Sequence, residues 1–135
     1  MIPRFVTVTL PPIPQELSPN HRCHYMAKAR VTKKYRQDTC IAFKAAIREY
    51  RFERAKIHLQ LYADTTKMRL CGGYAPKDRD NLIAAFKAGQ DGIRDSGLIA
   101  GDEADRLMDP SVTILRGKAA GGRCELVVVV NEVVD

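Results

Sequence analysis

The chain has 135 residues, of which 45% are hydrophobic and 28% are charged, and its formal net charge is +6. This length suits one domain covering residues 1–135 and is enough to bury a sizeable core. No apolar run approaches the roughly 20 residues that cross a membrane, and early prolines break up any secretory leader. We therefore expect an intracellular, cytoplasmic protein.

The positive charge lies mostly in the first part of the chain. Residues 1–60 hold 12 Lys/Arg and 4 Asp/Glu (+8), whereas residues 61–135 hold 10 Lys/Arg and 12 Asp/Glu (−2). A basic part beside an acidic part fits a polyanionic substrate held next to a metal site. The four cysteines form no CxxC pair, which argues against a zinc ribbon or a thioredoxin-like site.

Alternating apolar residues predict a first strand at residues 5–10, which a proline-rich stretch ends. The segment that follows, up to Val31, has no clear period and is predicted to be a long loop. Its side chains include types that contact phosphates or stack on bases, so we expect it to bind DNA. The alternative is a surface loop with solvated charges. The side chains concerned are Asn20, His21, Arg22, His24, Tyr25, Lys28 and Arg30.

A helix is predicted from Thr32, its N-cap, to about Tyr50. Lys33 belongs to a basic ridge of this helix that is suited to following a phosphate backbone. A second strand is predicted at 56–62, with His58 exposed, and a loop at 64–76 leads to Lys77, another residue expected to bind DNA. The predicted buried stripe of the helix contains Tyr35, Thr39, Ala42, Phe43, Ala46, Ile47 and Tyr50.

A second helix is predicted from Asp80 to about residue 95, ending near Ser96–Gly97. Two strands follow at 112–115 and 124–130, and the Gly-rich link between them indicates a hairpin. The valine run in the last strand indicates a strand covered on both faces. We therefore predict a single α+β domain, a mixed sheet with two main helices.

Two carboxylates, Asp78 and Asp80, are separated by one residue. In an extended segment their side chains project to the same side. Mg²⁺ prefers oxygen ligands, usually one or two carboxylates together with several waters, so the pair predicts a metal site. Ordinary helix capping is the competing interpretation, with Asp80 as N-cap or first-turn residue. The spacing excludes an EF-hand, since Leu82 and Ile83 stand where a ligand and a glycine belong.

Helical spacing places Asp80, Ala84, Lys87 and Asp91 on one face of the second helix. The opposite face is apolar and predicted to pack inward. Lys87 and Asp91 are also four residues apart, which is the spacing of an ordinary ion pair along a helix. The apolar face consists of Leu82, Phe86, Gly89 and Ile93.

The run Asp78-Arg79-Asp80-Asn81-Leu82 is followed by Lys87, by Asp91-Gly92-Ile93 and by Gly97-Leu98-Ile99-Ala100-Gly101-Asp102. Together with Leu10-Pro11-Pro12, Ser18-Pro19-Asn20 and Tyr35-Arg36, this pattern resembles the RusA family of Holliday junction resolvases, including relatives encoded by phages. The resemblance extends over most of the chain.

The resemblance implies a RusA-like homodimeric endodeoxyribonuclease that uses Mg²⁺, with Mn²⁺ as the alternative ion. Such enzymes act in DNA recombination and repair, where they resolve four-way junctions by paired symmetric nicks. The family's metal-binding carboxylates correspond to Asp78, Asp80 and Asp102, and its catalytic lysine to Lys87. We assign supporting roles to Asn81, Asp91 and Glu103.

The sequence departs from the family pattern in two places. In the best-known member of the family the lysine follows the Asp-Asn pair by three residues, a position held here by Ala84. Lys87 follows Asn81 by six, a spacing that resembles that of the phage-type relatives. Where the family often has Asp-Asp, this chain has Asp102-Glu103, so Glu103 or Asp105 could share or replace the role of Asp102.

Two other functions fit parts of the pattern. One is a branched-DNA-binding protein without catalysis, in which the carboxylates are helix caps and ion-pair partners. The other is a metal-dependent phosphoryl or glycosyl transferase that uses the DxD pair, although the chain has no P-loop or dinucleotide-binding glycine pattern.

Overall fold

The computed structural model of the chain describes residues 4–47, 51–64, 76, 78–100 and 106–133. Within these ranges there are three α-helices, four strands, and short 3₁₀ turns at Gln15–Leu17 and Gly117–Ala120. The strands are β1 (Phe5–Leu10), β2 (Ala55–Ala63), β3 (Leu107–Arg116) and β4 (Cys124–Glu132). The helices are α1 (Tyr25–Ile47), α2 (Arg79–Ala85) and α3 (Lys87–Asp95).

The four strands form one mixed sheet in the order β1-β4-β2-β3. β4 pairs antiparallel with both β1 and β2, and β3 pairs parallel with β2. Because parallel neighbours need a crossover connection, the segment containing α2 and α3 lies between β2 and β3. The predicted α+β domain with a mixed sheet is confirmed.

The predicted hairpin between the last two strands is wrong, because β2 lies between β3 and β4. The chain must therefore cross the end of β2, and residues 117–123 do so through a 3₁₀ turn rather than a tight hairpin turn. Gly117, Gly121 and Gly122 have positive φ there, and Ala120 is buried against the fold. The glycines were correctly recognised as turn residues, but they do not reveal which strands are neighbours.

One face of the sheet carries the core. On β2, Ile57, Leu59 and Leu61 are completely buried, and β4 contributes Leu126, Val128 and Val130 to the same cluster. Val127 and Val129 point to the other face and are only partly buried. The second face of β4 is therefore covered less completely than predicted.

His58, predicted to be exposed, is half-buried on the open face of the sheet. Its Nδ1 lies 2.7 Å from Ser111 Oγ and its Nε2 lies 3.3 Å from Thr113 Oγ1. The parallel pairing of β2 with β3 brings these side chains together, and that pairing is not visible in the local sequence.

Helix α1 begins seven residues before the predicted start. Thr32 is inside the helix, where its hydroxyl donates to the Lys28 carbonyl at 2.8 Å. His24 caps the helix instead, since its Nδ1 accepts the Met26 N–H at 3.2 Å. The first seven residues of α1, 25–31, contain no fully buried side chain, so apolar periodicity could not reveal them. The predicted stripe is confirmed at its buried members Tyr35, Thr39, Phe43 and Ile47, and Ala42 is half-buried. Ala46 is exposed, so its predicted place in the stripe is wrong, and the predicted end at Tyr50 lies outside the described residues.

The predicted second helix consists of two helices that meet at Phe86, where φ is −85° and ψ is 3°. The apolar face is confirmed, since Leu82, Phe86, Gly89 and Ile93 are all buried. Gly97 follows the last turn with φ of +85°, which confirms the predicted stop.

Helices α1 and α3 cross at very short range. A Cβ on Gly92 would lie 2.5 Å from the Arg36 carbonyl oxygen and 2.9 Å from Thr39 Cβ. The absence of a side chain at Gly92 is what allows this approach. Among the helices that the structure describes, none has the length and apolar character needed to span a bilayer.

Candidate functional site

The first carboxylate of the motif caps α2. Asp78 has extended backbone geometry, and its Oδ1 accepts the backbone N–H of Asn81 at 2.9 Å. Its Oδ2 accepts from Asn81 Nδ2 at 3.3 Å. Asn81 therefore orients both oxygens of Asp78. Each oxygen keeps a second lone pair, so the cap leaves capacity for another ligand.

The second carboxylate is almost free in solvent. Asp80 lies in the first turn of α2, and its side chain is 88% exposed, with Arg79 Nη1 at 4.0 Å. The expectation that both carboxylates belong to an extended segment is wrong for Asp80, because the helix has already begun at Arg79. Asp80 is a first-turn residue, and Asp78 is the N-cap.

Arg79 connects this motif to the edge of the sheet. Its Nη2 donates to the Pro110 carbonyl oxygen at 3.3 Å. At that point β3 has an irregularity, since its register with β2 shifts between Lys56 and His58. Pro110 cannot donate a ladder hydrogen bond, which fits an irregular edge position. Local residue spacing does not predict this contact of Arg79, because its partner Pro110 is 31 residues away.

Three residues of the predicted polar face line one open groove of about 300 Å³: Ala84, Lys87 and Asp91. Arg94 and Pro110 also contribute to its walls. Within the described ranges, Lys87 has no carboxylate within 4.0 Å, so the expected Lys87–Asp91 ion pair is not formed. Asp91 instead lies 3.9 Å from Arg36 Nη1 and 3.9 Å from Arg94 Nη1.

Arg36 joins α1 to this surface. Its guanidinium donates to both oxygens of Asp95, at 2.6 and 2.9 Å, in addition to its longer contact with Asp91. The hydrogen bond from Arg36 lowers the pKa of the Asp95 carboxyl. A two-pronged Arg–carboxylate contact fixes orientation as well as charge. The polar face of α3 is therefore anchored to α1 by a defined charge cluster.

A shallow groove runs along the first half of α1. It is lined by two small side chains, Ala29 and Thr32, and by four larger ones, Tyr25, Lys28, Lys33 and Arg36. The whole helix carries six Lys/Arg and one Asp. Arg36 lines this α1 groove. It also contacts Asp91 in the groove formed by Ala84, Lys87 and Asp91 (the motif groove), so the two surfaces adjoin.

The other residues predicted to bind DNA are distributed more widely. Asn20 and Arg22 are exposed in the turn before α1. Arg30 is also exposed, but it follows Lys28 by two residues, about 200° around the helix, and so points away from the groove. Lys77 lies outside the described residues.

The described carboxylates fit an oxygen-preferring cation only in part. Asp78 and Asp80 flank the start of α2 and are exposed, which suits an ion that takes one or two carboxylates and several waters. Asp102 and Glu103, predicted as the third ligand and its support, lie outside the described residues. Among the residues that the structure does describe, no group of three or more His, Cys, Asp or Glu is arranged to hold a metal.

Another hollow, of about 470 Å³, lies between the proline-rich segment and a different side of α1. Tyr35 and Thr39 line it, and neither hydroxyl oxygen has a hydrogen-bond partner among the described residues. Burial raises the pKa of Tyr35, so its phenol stays protonated. Both oxygens are enclosed by protein and inaccessible to solvent, and the hollow carries none of the predicted site residues.

No protein-family model matches the chain, and a search of curated proteins finds no match either.

Two features of this surface were absent from the predicted site. Arg36 was noted only as part of the family resemblance, although the i, i+4 spacing of Asp91 and Asp95 is typical of two carboxylates that can share a cation. The stacking of His24 on Tyr25 was also missed, since both residues were assigned to a loop.

Proposed function

We propose that this protein is a Mg²⁺-dependent, structure-specific endodeoxyribonuclease that resolves four-way DNA junctions by paired nicks. The proposal starts from the resemblance to the RusA family. One structural observation supports it above the others: the groove that contains Lys87 and Asp91 adjoins the cationic groove of α1 through Arg36. Such a surface suits a polyanion whose backbone is gripped beside the point of cleavage.

In this proposal Asp78 and Asp80 hold the ion, with Asp102 as the third ligand. When bound, Mg²⁺ supplies Lewis-acid polarisation of the phosphate and a water of lowered pKa. Hydrolysis joins the water oxygen to phosphorus, breaks one P–O ester bond and leaves a proton for the departing oxygen. Asn81 keeps Asp78 correctly oriented through its two hydrogen bonds.

Lys87 is the cation available for the reacting phosphate. Its ammonium is exposed in the motif groove, whereas Asp91 is already occupied by Arg36 and Arg94. Since the Lys87 ammonium has no carboxylate partner among the described residues, it can donate to a phosphate oxygen and offset the charge that develops during cleavage. Asp91 then acts indirectly, by holding Arg36 between the two surfaces.

A second candidate function is that of a branched-DNA-binding protein without catalysis. It is favoured by the structural roles that two of the carboxylates already have, since Asp78 caps α2 and Asp91 joins an ion-pair cluster. In this case the cationic groove would act alone, and the acidic motif would serve only to build the helix that supports it.

The deciding experiment is cleavage of a labelled four-way junction, with a linear duplex of matched sequence, in Mg²⁺, in Mn²⁺ and in EDTA. The nuclease proposal expects paired symmetric nicks in the junction alone, lost in EDTA. Binding without nicking in either metal would favour the non-catalytic protein, and equal cutting of both substrates would indicate a general nuclease.

Asp80→Asn is the sharpest variant for this assay, because Asp80 is exposed and makes no hydrogen bond within the described residues. Cleavage should be abolished, whereas junction binding should persist or tighten as a charge that repels phosphate is removed. Asp38→Asn is the matched control, since Asp38 is an exposed carboxylate of α1 that pairs with Lys34. It should cleave like the unmodified protein.

The resemblance also implies a homodimer, because paired nicks need two sites on one junction. Light scattering at several protein concentrations, with and without junction DNA, would measure the mass. A protein that stays monomeric when bound to a junction while still making paired nicks would contradict this part of the proposal.

A further inference from the structure

An aromatic pair stands at the end of the α1 groove. The rings of His24 and Tyr25 are stacked, with centroids 4.7 Å apart and planes inclined by 26°. Tyr25 is 76% exposed, among the most exposed of the large apolar side chains that the structure describes. The pair therefore presents an aromatic surface to solvent and does not contribute to the hydrophobic core.

The imidazole of His24 is held in place by the helix it caps. The ring Nδ1 accepts the Met26 N–H at 3.2 Å, and the backbone carbonyl oxygen of His24 accepts the Lys28 N–H at 3.1 Å. The hydrogen bond to Nδ1 fixes the orientation of the ring relative to the first turn of α1. The stack is thus a prearranged surface, which reduces the ordering cost of binding.

Cations continue from this pair along the groove. Lys28 and Lys33 line it after Tyr25, and neither has a carboxylate within 4.0 Å in the described part of the chain. Arg36 ends the groove, about 16 Å from Tyr25 along the helix axis at 1.5 Å per residue. An aromatic face followed by unpaired cations is the arrangement used to stack a base and follow its phosphates.

The geometry points to an unpaired base rather than a duplex. Bases inside a duplex already stack on their neighbours, so an exposed ring can stack only on a base that has been displaced. We propose that the His24–Tyr25 pair stacks an unpaired DNA base while Lys28 and Lys33 contact the flanking phosphates. This inference rests on the proposed function, since it names the part of a branched substrate that the surface recognises.

The test is binding in EDTA, where no cleavage occurs. The probes are a short single-stranded DNA containing 2-aminopurine and the duplex formed with its complement, each tested at the same salt concentration. Stacking on an aromatic residue quenches 2-aminopurine fluorescence. Loss of one base–aromatic stack should weaken single-strand binding by about 5- to 150-fold, the range that alanine substitution at such stacks produces.

Tyr25→Ala should therefore lose both the quenching and the single-strand affinity, with duplex binding changed by less than about twofold. Tyr25→Phe should restore both, because the ring is kept and only the hydroxyl is lost. His24→Asn retains a capping side chain, so it should reduce stacking without shortening α1. Met26→Ala is the control, since Met26 is 56% exposed next to the pair but takes no part in the stack.

Several outcomes would overturn the inference: unchanged single-strand affinity in Tyr25→Ala, equal loss for single strand and duplex, or failure of Tyr25→Phe to restore binding. The first would be expected if this surface served a protein partner instead. The nuclease proposal is judged separately, by nicking in Mg²⁺. Base stacking without nicking would support this inference and reject catalysis. Nicking by a protein whose Tyr25→Ala variant binds single strands unchanged would support catalysis and reject this inference.

Discussion

Individual carboxylates in the motif have structural contacts as well as proposed chemical roles. Asp78 serves α2 as a cap, and Asp91 serves the interface between α1 and α3. In the part of the chain that the structure describes, the charged group nearest to Asp80 is the Arg79 guanidinium, at 4.0 Å. Loss of activity on mutating Asp78 could therefore come from the lost cap or from the lost metal ligand. Loss of activity on mutating Asp80 would report on the proposed metal site alone.

Asp78 can be tested by separating its capping role from its charge. Asp78→Ala should lower the free energy of unfolding by about 1 kcal/mol, because the Asn81 N–H loses its acceptor. Asp78→Asn keeps an oxygen for that N–H and should stay within about 0.5 kcal/mol of the unmodified protein. Urea unfolding measures both.

The proposed metal site requires Asp78→Asn to lose cleavage despite its retained stability. A stable Asp78→Asn protein that still nicks junctions at the normal rate would remove Asp78 from the catalytic residues and leave it only as a cap.

Among the elements, the close crossing of α1 and α3 determines how the two functional surfaces meet. Gly92 allows the approach, and Arg36 then reaches Asp91 and Asp95. The buried face of α3 sets its rotation, and that rotation directs Lys87 and Asp91 into the motif groove.

Gly92→Ala tests this crossing because two effects have opposite signs. Helix propensity alone would stabilise α3 by about 1 kcal/mol. The added Cβ would, however, meet the Arg36 carbonyl oxygen at 2.5 Å, and backbone cannot move aside cheaply. We expect a net loss of about 1–3 kcal/mol in unfolding free energy, measured by urea unfolding. Gln90→Ala, on the half-exposed side of α3, is the control and should be nearly neutral; a stabilised Gly92→Ala protein would contradict the observed crossing.

The Arg36–Asp95 contact should make stability depend on pH. The pKa of Asp95 is lowered below its ordinary value of 3.8, chiefly by the hydrogen bond from Arg36. A carboxyl whose pKa is lowered on folding contributes stability above its ordinary pKa and loses it as the pH falls through the lowered value. Asp95→Asn should therefore cost most at neutral pH, and the cost should shrink below about pH 4. Unfolding curves at pH 7 and pH 3 compare the two proteins, and an equal cost at both pH values would mean that the ionised pair contributes nothing.

At the scale of the whole molecule, the described helices cover one face of the sheet and leave the other open. Val128 belongs to the covered face and is completely buried, whereas Val127 faces the open side and is half-exposed. The open face carries a mixture of polar and apolar side chains, including the His58–Ser111 contact.

Two valine substitutions test this asymmetry. Val128→Ala should lower the free energy of unfolding by about 2 kcal/mol, from lost burial and the cavity left behind. Val127→Ala should cost less than about 1 kcal/mol, because its side chain is already partly in water. Equal costs in urea unfolding would mean that the open face is covered in solution, as it would be if a second copy packed there.

Local patterns determined a large part of this fold. The strand at 5–10, the core stripe of α1, the apolar face of the motif helices and the stop at Gly97 are all set by short-range periodicity and turn chemistry. The missed first seven residues of α1, 25–31, contain no fully buried side chain, so the pattern on which the prediction depended is absent there. Three residues of the predicted polar face, Ala84, Lys87 and Asp91, share one groove because a helix fixes which side chains lie on the same face. Asp80, the fourth, does not line that groove.

Long-range pairing decided everything else. The position of β2 between β3 and β4, the contact of Arg79 with Pro110, and the bonds from Arg36 to Asp95 join residues 31 or more positions apart. Residue spacing along the sequence specifies which side of an element a side chain occupies, and it carries no information about which element lies opposite. The sequence by itself therefore determined the acidic motif and its helical face. Only the packing of α1 across α3, allowed by Gly92, decided that this face adjoins a cationic groove.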